Sequence, residues 1–372
     1  MSVRMRPLSQ GHETYNCVQA LRFVAAFMVV VTHSWFYASE RLDGVHWFWG
    51  DGAKGVDLFF VISGFVMYVS GSRLAEVPGG ALLFMQRRLI RIVPLYWLFT
   101  TLKLITMLAT AGLVRHAKFD AIAVLCSYFF LPSYNVDGLI EPLLGVGWTL
   151  NYEMLFYVIF AIALAFHRNL VVNVLAVLAL LAAGSLGRPF SAAAAQFYLN
   201  PIVLEFGFGI LIALLVRRGT RAPFGLAVGL LIVGLCLLVT PFGDSLPKVA
   251  QGGIPAAIVV YAAVSLEQEF GRRIPWPILF FGAASYSLYL SHPLIAPLAP
   301  TLLNKIGLYS PIVSVVCSVA VALVVSSLVY KGIEQPLLAA LNRRFSQGAT
   351  RGGNTPRKDK PRQPEVPPTG IA

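Results

Sequence analysis

The chain has 372 residues, 57% of them hydrophobic and 12% charged, with 29 Lys and Arg against 17 Asp and Glu for a net charge of +12, and a mean hydropathy of +0.72. That balance excludes a water-soluble domain, and recurring apolar runs of about 17 to 22 residues point to membrane-crossing helices, not to the short alternating strands of a barrel. The basic residues fall in short loops and a tail instead of on one folded face, which argues for membrane topology and against nucleic-acid binding; Cys17, Cys126, Cys236 and Cys317 lie scattered without CxxC spacing, so neither a disulfide framework nor a metal site is expected.

In chain order, Arg4 and Arg6 precede an apolar run that continues through Val29 to His33 with no small-residue cleavage site, the pattern of a retained first span rather than a signal peptide. Residues 1–16 read as a cytosolic segment and 17–336 as one transmembrane domain. Spans are predicted over 17–37, 55–71, 90–111, 147–166, 170–187, 198–216, 223–241, 251–266, 277–297 and 311–331. The apolar segment 120–131 is too short to assign as a span from length alone.

Charge arbitrates that segment. With ten spans, the Arg87, Arg88 and Arg91 cluster, His167-Arg168, Arg217-Arg218-Arg221, Arg272-Arg273 and the tail from Arg343 all face the cytosol. With eleven, the Arg217 and Arg272 loops move outside, so ten is preferred and 113–146 becomes an external loop carrying a half-helix. Arg115 and Lys118 lie outside either way. The expected fold is all-α, a polytopic membrane helix bundle of about ten transmembrane helices with cytosolic termini. From about Gln347 the chain is rich in Gly, Pro, Lys, Arg and Thr with no apolar period, and 346–372 reads as a disordered basic tail.

An ionisable side chain inside a span is costly, which makes each one a functional candidate. On the cytosolic side stand Arg22, early in the first span, and Arg87, Arg88 and Arg91 at the entry of the third. Their guanidinium forks suit a polyphosphate arriving from the cytosol; the plainer alternative is a set of anchors snorkelling to the headgroups. On the outer side, helix rise places His33, Asp57, Glu153 and His292 in one layer, each within about 10 Å of the outer end of its span. A histidine held by a carboxylate is a general base fit to deprotonate a hydroxyl. The alternatives are a helix cap for Asp57, a structural arginine partner for Glu153, and for His292 a bond to a carbonyl freed by Pro293. Trp148, Tyr152 and Tyr157 suit either a sugar site or an interfacial aromatic belt.

The sharpest relation joins Arg22 and His33. Eleven residues at about 100° each leave their side chains about 20° apart on one helical face, about 16.5 Å along the axis. That length is of the order of a pantetheine arm, so a phosphate held at Arg22 would present its thioester near His33.

These residues stand in stretches that resemble the acyltransferase-3 family of membrane O-acyltransferases, from Arg22 to about Pro336. The likeness is carried by Arg22 and His33 with ten residues between them, and by Arg88-Leu89-Ile90-Arg91. It continues in Gly55-Val56-Asp57-Leu58-Phe59-Phe60-Val61-Ile62-Ser63-Gly64-Phe65, in Trp148-Thr149-Leu150-Asn151-Tyr152-Glu153-Met154-Leu155-Phe156-Tyr157, and in Ser285-Tyr286-Ser287-Leu288-Tyr289-Leu290-Ser291-His292-Pro293. The resemblance implies a ten-span core in a bacterial inner membrane, acyl-CoA as a cytosolic co-substrate with no permanently bound cofactor, His33 as the essential catalytic residue and the arginines as donor contacts. Members that modify exopolysaccharides look most similar, because no appended esterase-like domain follows the membrane core.

The expected activity is transfer of an acyl group, acetyl first among the candidates, from cytosolic acyl-CoA to a hydroxyl of a surface or exopolysaccharide glycan or its lipid-linked precursor. His33 acts as base with Asp57 or Glu153 holding its tautomer, or alternatively as an acyl-carrying nucleophile. Trp148, Tyr152 and His292 are the expected sugar contacts, and Arg22, Arg87, Arg88 and Arg91 the expected donor contacts. A transporter or flippase for a lipid-linked glycan would also suit intramembrane charges, but paired inverted repeats, the mark of many transporters, are not visible in the sequence.

Overall fold

A computed structural model describes residues 15–42, 49–109, 120–166, 169–241, 243 and 245–351, the last six of these without their side chains. Most of the expected N-terminal segment and most of the expected tail lie outside the described residues, as do Arg115, Lys118, His167 and Arg168. The helices are α1 (Asn16–Arg41), α2 (Gly55–Gly71), α3 (Gly80–Ala109), α4 (Ala121–Tyr128), α5 (Trp148–Ala165), α6 (Leu170–Gly184), α7 (Ala193–Tyr198) and α8 (Leu204–Arg217). They continue as α9 (Phe224–Val239), α10 (Ile254–Ser265), α11 (Glu267–Phe270), α12 (Trp276–Ala283), α13 (Ser285–Ile295), α14 (Leu298–Lys305), α15 (Pro311–Val329) and α16 (Gln335–Arg351). Among the described residues extended structure is confined to one antiparallel bridge, Tyr134 to Ile140.

Several helices carry large apolar side chains outward, such as Leu180 and Ile122, each 71% exposed. In water those faces would be unstable; in lipid they are the solvent-facing side, and the backbone is satisfied within each helix. Six helical stretches are long and apolar enough to cross a bilayer, 16–41, 51–76, 80–109, 145–165, 170–187 and 311–345, and two bent pairs bring the count to eight. The chain is a multi-pass membrane protein, but the count of ten is not reached by that measure. The predicted span 198–216 loses its first turn to a 3-10 segment, Pro201–Val203, capped by the Asn200 side chain, so that α8 has 14 residues. The predicted span 223–241 stops at Val239 because Thr240, which precedes Pro241, is extended, so that α9 has 16. Their lengths of about 21 and 24 Å fall short of a hydrocarbon core of about 30 Å. Helix α4 has only eight residues, about 12 Å, started by the Asp120 carboxylate accepting from Ile122 N and Ala123 N.

Helix α1 is the axis of the bundle, packing on α2, α10, α12, α13 and α15. Helices α2 and α8 meet through glycines: a Cβ on Gly64 would lie 2.0 Å from the Phe206 carbonyl oxygen, and one on Gly209 2.0 Å from that of Val61. Such contact lets two backbones pack where no hydrophobic effect drives them together. A core of aromatic rings fills the α2, α3, α5 and α8 side, including Phe206 stacked on Phe156 at 4.4 Å between centroids.

Three interruptions set the depth of the polar groups. The axis bends by 71° between α12 and the α13–α14 stretch, at Ala284. Two π-helical turns, Val249–Gly253 and Tyr330–Glu334, extend α10 and α15. Irregular backbone at membrane depth is tolerated where it lines a cavity or is covered by protein, and π turns recur at functional sites.

Candidate active site

At one end of the bundle, a cavity of about 130 Å³ is walled by Arg22 from α1, Arg88 and Arg91 from α3, Glu153 and Tyr157 from α5 and Tyr286 from α13. Arg88 donates to Ser70 Oγ at 2.7 Å and lies over the Phe84 ring, leaving its buried Nε without a partner. Arg91 pairs with Glu334 at 3.4 Å, and Glu334, 1% exposed, accepts from Ser287 Oγ at 2.5 Å. Glu153 accepts from Ser63 Oγ at 3.2 Å and from the Tyr157 hydroxyl. Arg88 and Arg91 are therefore each held by a fixed polar partner. A groove of about 380 Å³ lined by Arg87, Arg91, Leu338 and Asn342 lies beside them, and Arg91 belongs to both.

At the other end, a vestibule has two lobes that share Trp148, Leu139 and Glu141. The lobe of about 960 Å³ holds His33, Glu40, Lys103, Asp120 and Asp137; the lobe of about 720 Å³ holds Lys54, Asp57, Tyr152, Arg188 and Lys248. His33 Nδ1 lies 2.7 Å from His292 Nε2, with the two rings edge to edge, 14° from coplanar and 5.0 Å between centroids. His292 is fully buried, and its Nδ1 lies 3.1 Å from the Leu288 carbonyl oxygen. Tyr289 lies one turn before His292. It walls the arginine cavity, its hydroxyl is 2.9 Å from Thr149 Oγ1, and its ring is 5.9 Å from that of His292.

The family described as an acyltransferase domain matches residues 15–331, nearly all of this helical core. The chain belongs to the acyltransferase-3 family. It is 36% identical over 311 residues, 82% of this chain and 94% of the relative, to the exopolysaccharide production protein ExoZ of Rhizobium meliloti (strain 1021). It is 28% identical to nodulation protein 10 of Rhizobium leguminosarum bv. viciae over 43% of this chain and 47% of that protein. To the O-acetyltransferase OatA of Staphylococcus aureus (strain NCTC 8325 / PS 47) it is 26% identical over 74% of this chain and 49% of that protein. No solved structure matches the chain at a significant level. The chain is thus a membrane acyltransferase, as the resemblance implied.

For this acyltransferase, Arg22 and His33 stand as the helical spacing places them, on one unbroken α1, the first in the arginine cavity and the second in the vestibule. The outer layer expected from helix rise is not one layer. Glu153 belongs to the arginine cavity, and Asp57 lines the vestibule lobe that His33 does not. The turn Gly145–Gly147 before α5 is partly covered, with Leu144 and Val146 buried, Gly147 against the Tyr96 ring and Gly145 exposed.

Among the described residues the side chain bonded to His33 is His292, and neither expected carboxylate is its partner. Asp57 instead faces Glu205, which is 0% exposed, under the π turn where a Cβ on Gly252 would fall 2.3 Å from Asp57 Oδ1 and one on Gly253 2.8 Å from Glu205 Cγ. Both carboxyl oxygens of Glu205 are buried there without a hydrogen-bond partner among the described residues. Arg87 is exposed on the outer groove, apart from the cavity. Trp148 stands at the junction of the lobes, whereas Tyr152 is buried, stacked on Phe197 at 4.2 Å with its hydroxyl donating to the Phe197 carbonyl at 2.6 Å.

Glu205 and Glu334 were absent from the sequence-based candidates. Glu205 lies inside a predicted span and was open to the same rule that selected Glu153. Glu334 falls three residues past the predicted end at 331, and the π turn carries it inward. Among the described residues no group of His, Cys, Asp and Glu is arranged to hold a metal ion.

Proposed function

We propose that this acyltransferase takes an acetyl or other short acyl group from acyl-CoA at the arginine end and places it on a hydroxyl of an exopolysaccharide or other surface glycan, or its lipid-linked precursor, held in the vestibule. The observation that carries this reading is Arg22 and His33 on one face of α1, each opening into a different compartment. The name of ExoZ, an exopolysaccharide production protein, supports a glycan as acceptor, and that of OatA, an O-acetyltransferase, supports an acetyl group placed on oxygen.

Geometry divides the donor. Ligand sites usually have about 300 to 1,000 Å³, so the cavity of about 130 Å³ suits a pantetheine arm and thioester but not a nucleotide. The nucleotide phosphates would sit at its mouth, in the groove of Arg87 and Arg91, where forked guanidinium groups bind phosphate oxygens in pairs. Arg22 and Arg88 would meet the donor deeper in. With the arginine end in the cytosol, the vestibule faces outward from a bacterial inner membrane, and acyl-CoA is a co-substrate consumed in each cycle.

In the reaction, His33 takes the proton of the sugar hydroxyl as the oxygen attacks the thioester carbonyl. The tetrahedral intermediate collapses, the carbon–sulfur bond breaks, and the imidazolium returns its proton to the leaving thiolate, so atoms and charge balance without a further reactant. Trp148 offers the sugar an apolar face at the lobe junction. The test is transfer of label from [14C]acetyl-CoA to the host's surface glycan in membranes holding the parent chain or His33→Ala at equal amounts. Label on the glycan with the parent and none with the variant is expected. Equal label in both would overturn the role of His33, and none in either the choice of donor or acceptor.

A further inference from the structure

An imidazole serves as base through one nitrogen, and which one depends on where its other proton is held. Three atoms in line decide this at His33. The Leu288 carbonyl oxygen only accepts, so the contact at 3.1 Å requires a proton on His292 Nδ1. His292 is neutral when that is its one proton, and its Nε2 is then a lone pair facing His33 Nδ1 at 2.7 Å. His33 Nδ1 must therefore carry the hydrogen that fills this contact. The opposite assignment needs protons on both nitrogens of His292, a full charge on a ring that is 0% exposed and has no carboxylate among its hydrogen-bond partners in the described residues. Burial of an unpaired charge makes that arrangement the costlier one.

We propose that His292, anchored on the Leu288 carbonyl, is a positioning residue that holds His33 in its Nδ1–H form, so that Nε2 of His33 is the free base turned to the vestibule. This rests on the reading of His33 as base and adds to it the orienting partner, which is a neutral imidazole on a backbone carbonyl where hydrolytic triads use a carboxylate. The choice fits the site. No carboxylate has to be buried at this depth, and the two rings meet edge to edge, 14° from coplanar, as an in-plane bond between ring nitrogens requires. When His33 becomes an imidazolium in the cycle, its Nδ1–H still donates to His292 and the charge meets an acceptor.

The proposal is tested on purified full-length protein labelled with [15N]histidine, with His33→Ala identifying the His33 resonances. The tautomer is read by nitrogen NMR without any substrate. The parent is expected to show a protonated Nδ1 and a bare Nε2 at His33. His292→Gln, whose amide oxygen can still accept, is expected to keep that form, and His292→Leu to lose it. In acetyl transfer from acetyl-CoA, His292→Leu should lower kcat by about 10²-fold or more with KM for acetyl-CoA within about twofold, and His292→Gln should recover most of the rate. A parent with the proton on Nε2, or His292→Leu keeping both the tautomer and the rate, would overturn the proposal. Equal loss of rate in Gln and Leu variants that retain the parent's melting temperature would also overturn it. Parent-like transfer by His33→Ala would instead remove the reading of His33 as base, while the tautomer measurement would still decide the role of His292.

Discussion

The cavity at Arg22 and the vestibule at His33 differ in size, in wall material and in the use of charge. The first, about 130 Å³, is bounded by helix faces, and Arg88 and Arg91 in its wall are tied to Ser70 and Glu334. The second has lobes of about 720 and 960 Å³ walled largely by the connections between helices, including the stretch from Tyr134 to Val146. Helix-borne groups are held to fractions of an ångström, whereas loops can change shape without disturbing the bundle. A compartment for a constant ligand can be small and rigid, and one for a variable glycan can be wide and loop-built. Acyl-CoA would be the constant partner of this enzyme and the glycan the variable one.

If that division is right, single substitutions should act on one substrate and spare the other. The largest effect is expected from His33→Ala, which removes the base from the point where both substrates meet: kcat for acetyl transfer should fall about 10²- to 10⁴-fold, measured at saturating acetyl-CoA. Arg88→Ala should raise KM for acetyl-CoA about 10- to 100-fold through loss of a charged hydrogen bond and leave KM for the acceptor glycan unchanged; an equal rise in both constants would break the division. Trp148→Ala should do the reverse, raising acceptor KM about 2- to 10-fold through a lost stacking face with donor KM intact. The smallest shift is expected from Arg87→Ala. Because Arg87 is exposed on the groove and apart from the cavity, its loss should raise donor KM only about 2- to 5-fold, and less at high salt.

What could be read from the chain follows the range of the interactions. Arg22 and His33 share one helix, so the rise and turn of that helix alone place them. Membrane residence is a property of composition, and needs no tertiary information. Glu153 lines the arginine cavity and not the vestibule because cavity walls are set by residues from α1, α3, α5 and α13 together, which counting along one helix does not reach. The bond between His33 and His292 joins residues 259 apart, and nothing local announces which partner an intramembrane histidine finds. The span count fell from ten toward six to eight for a related reason: hydropathy registers an apolar run, while Asn200 and Thr240 decide where the helix within it begins and stops. Glu205 is the exception, since the rule that costly charges in spans are functional candidates applied to it as it stood.

Sidedness tests the account most directly. The purified acyltransferase would be reconstituted in vesicles whose orientation is read by impermeant labelling at the Arg87 end, with [14C]acetyl-CoA supplied on one side and the glycan on the other. The account predicts label on the glycan only when acetyl-CoA faces the arginine end and the glycan faces the His33 vestibule. Transfer with acetyl-CoA confined to the vestibule side, or a requirement for both substrates on the same side, would contradict it.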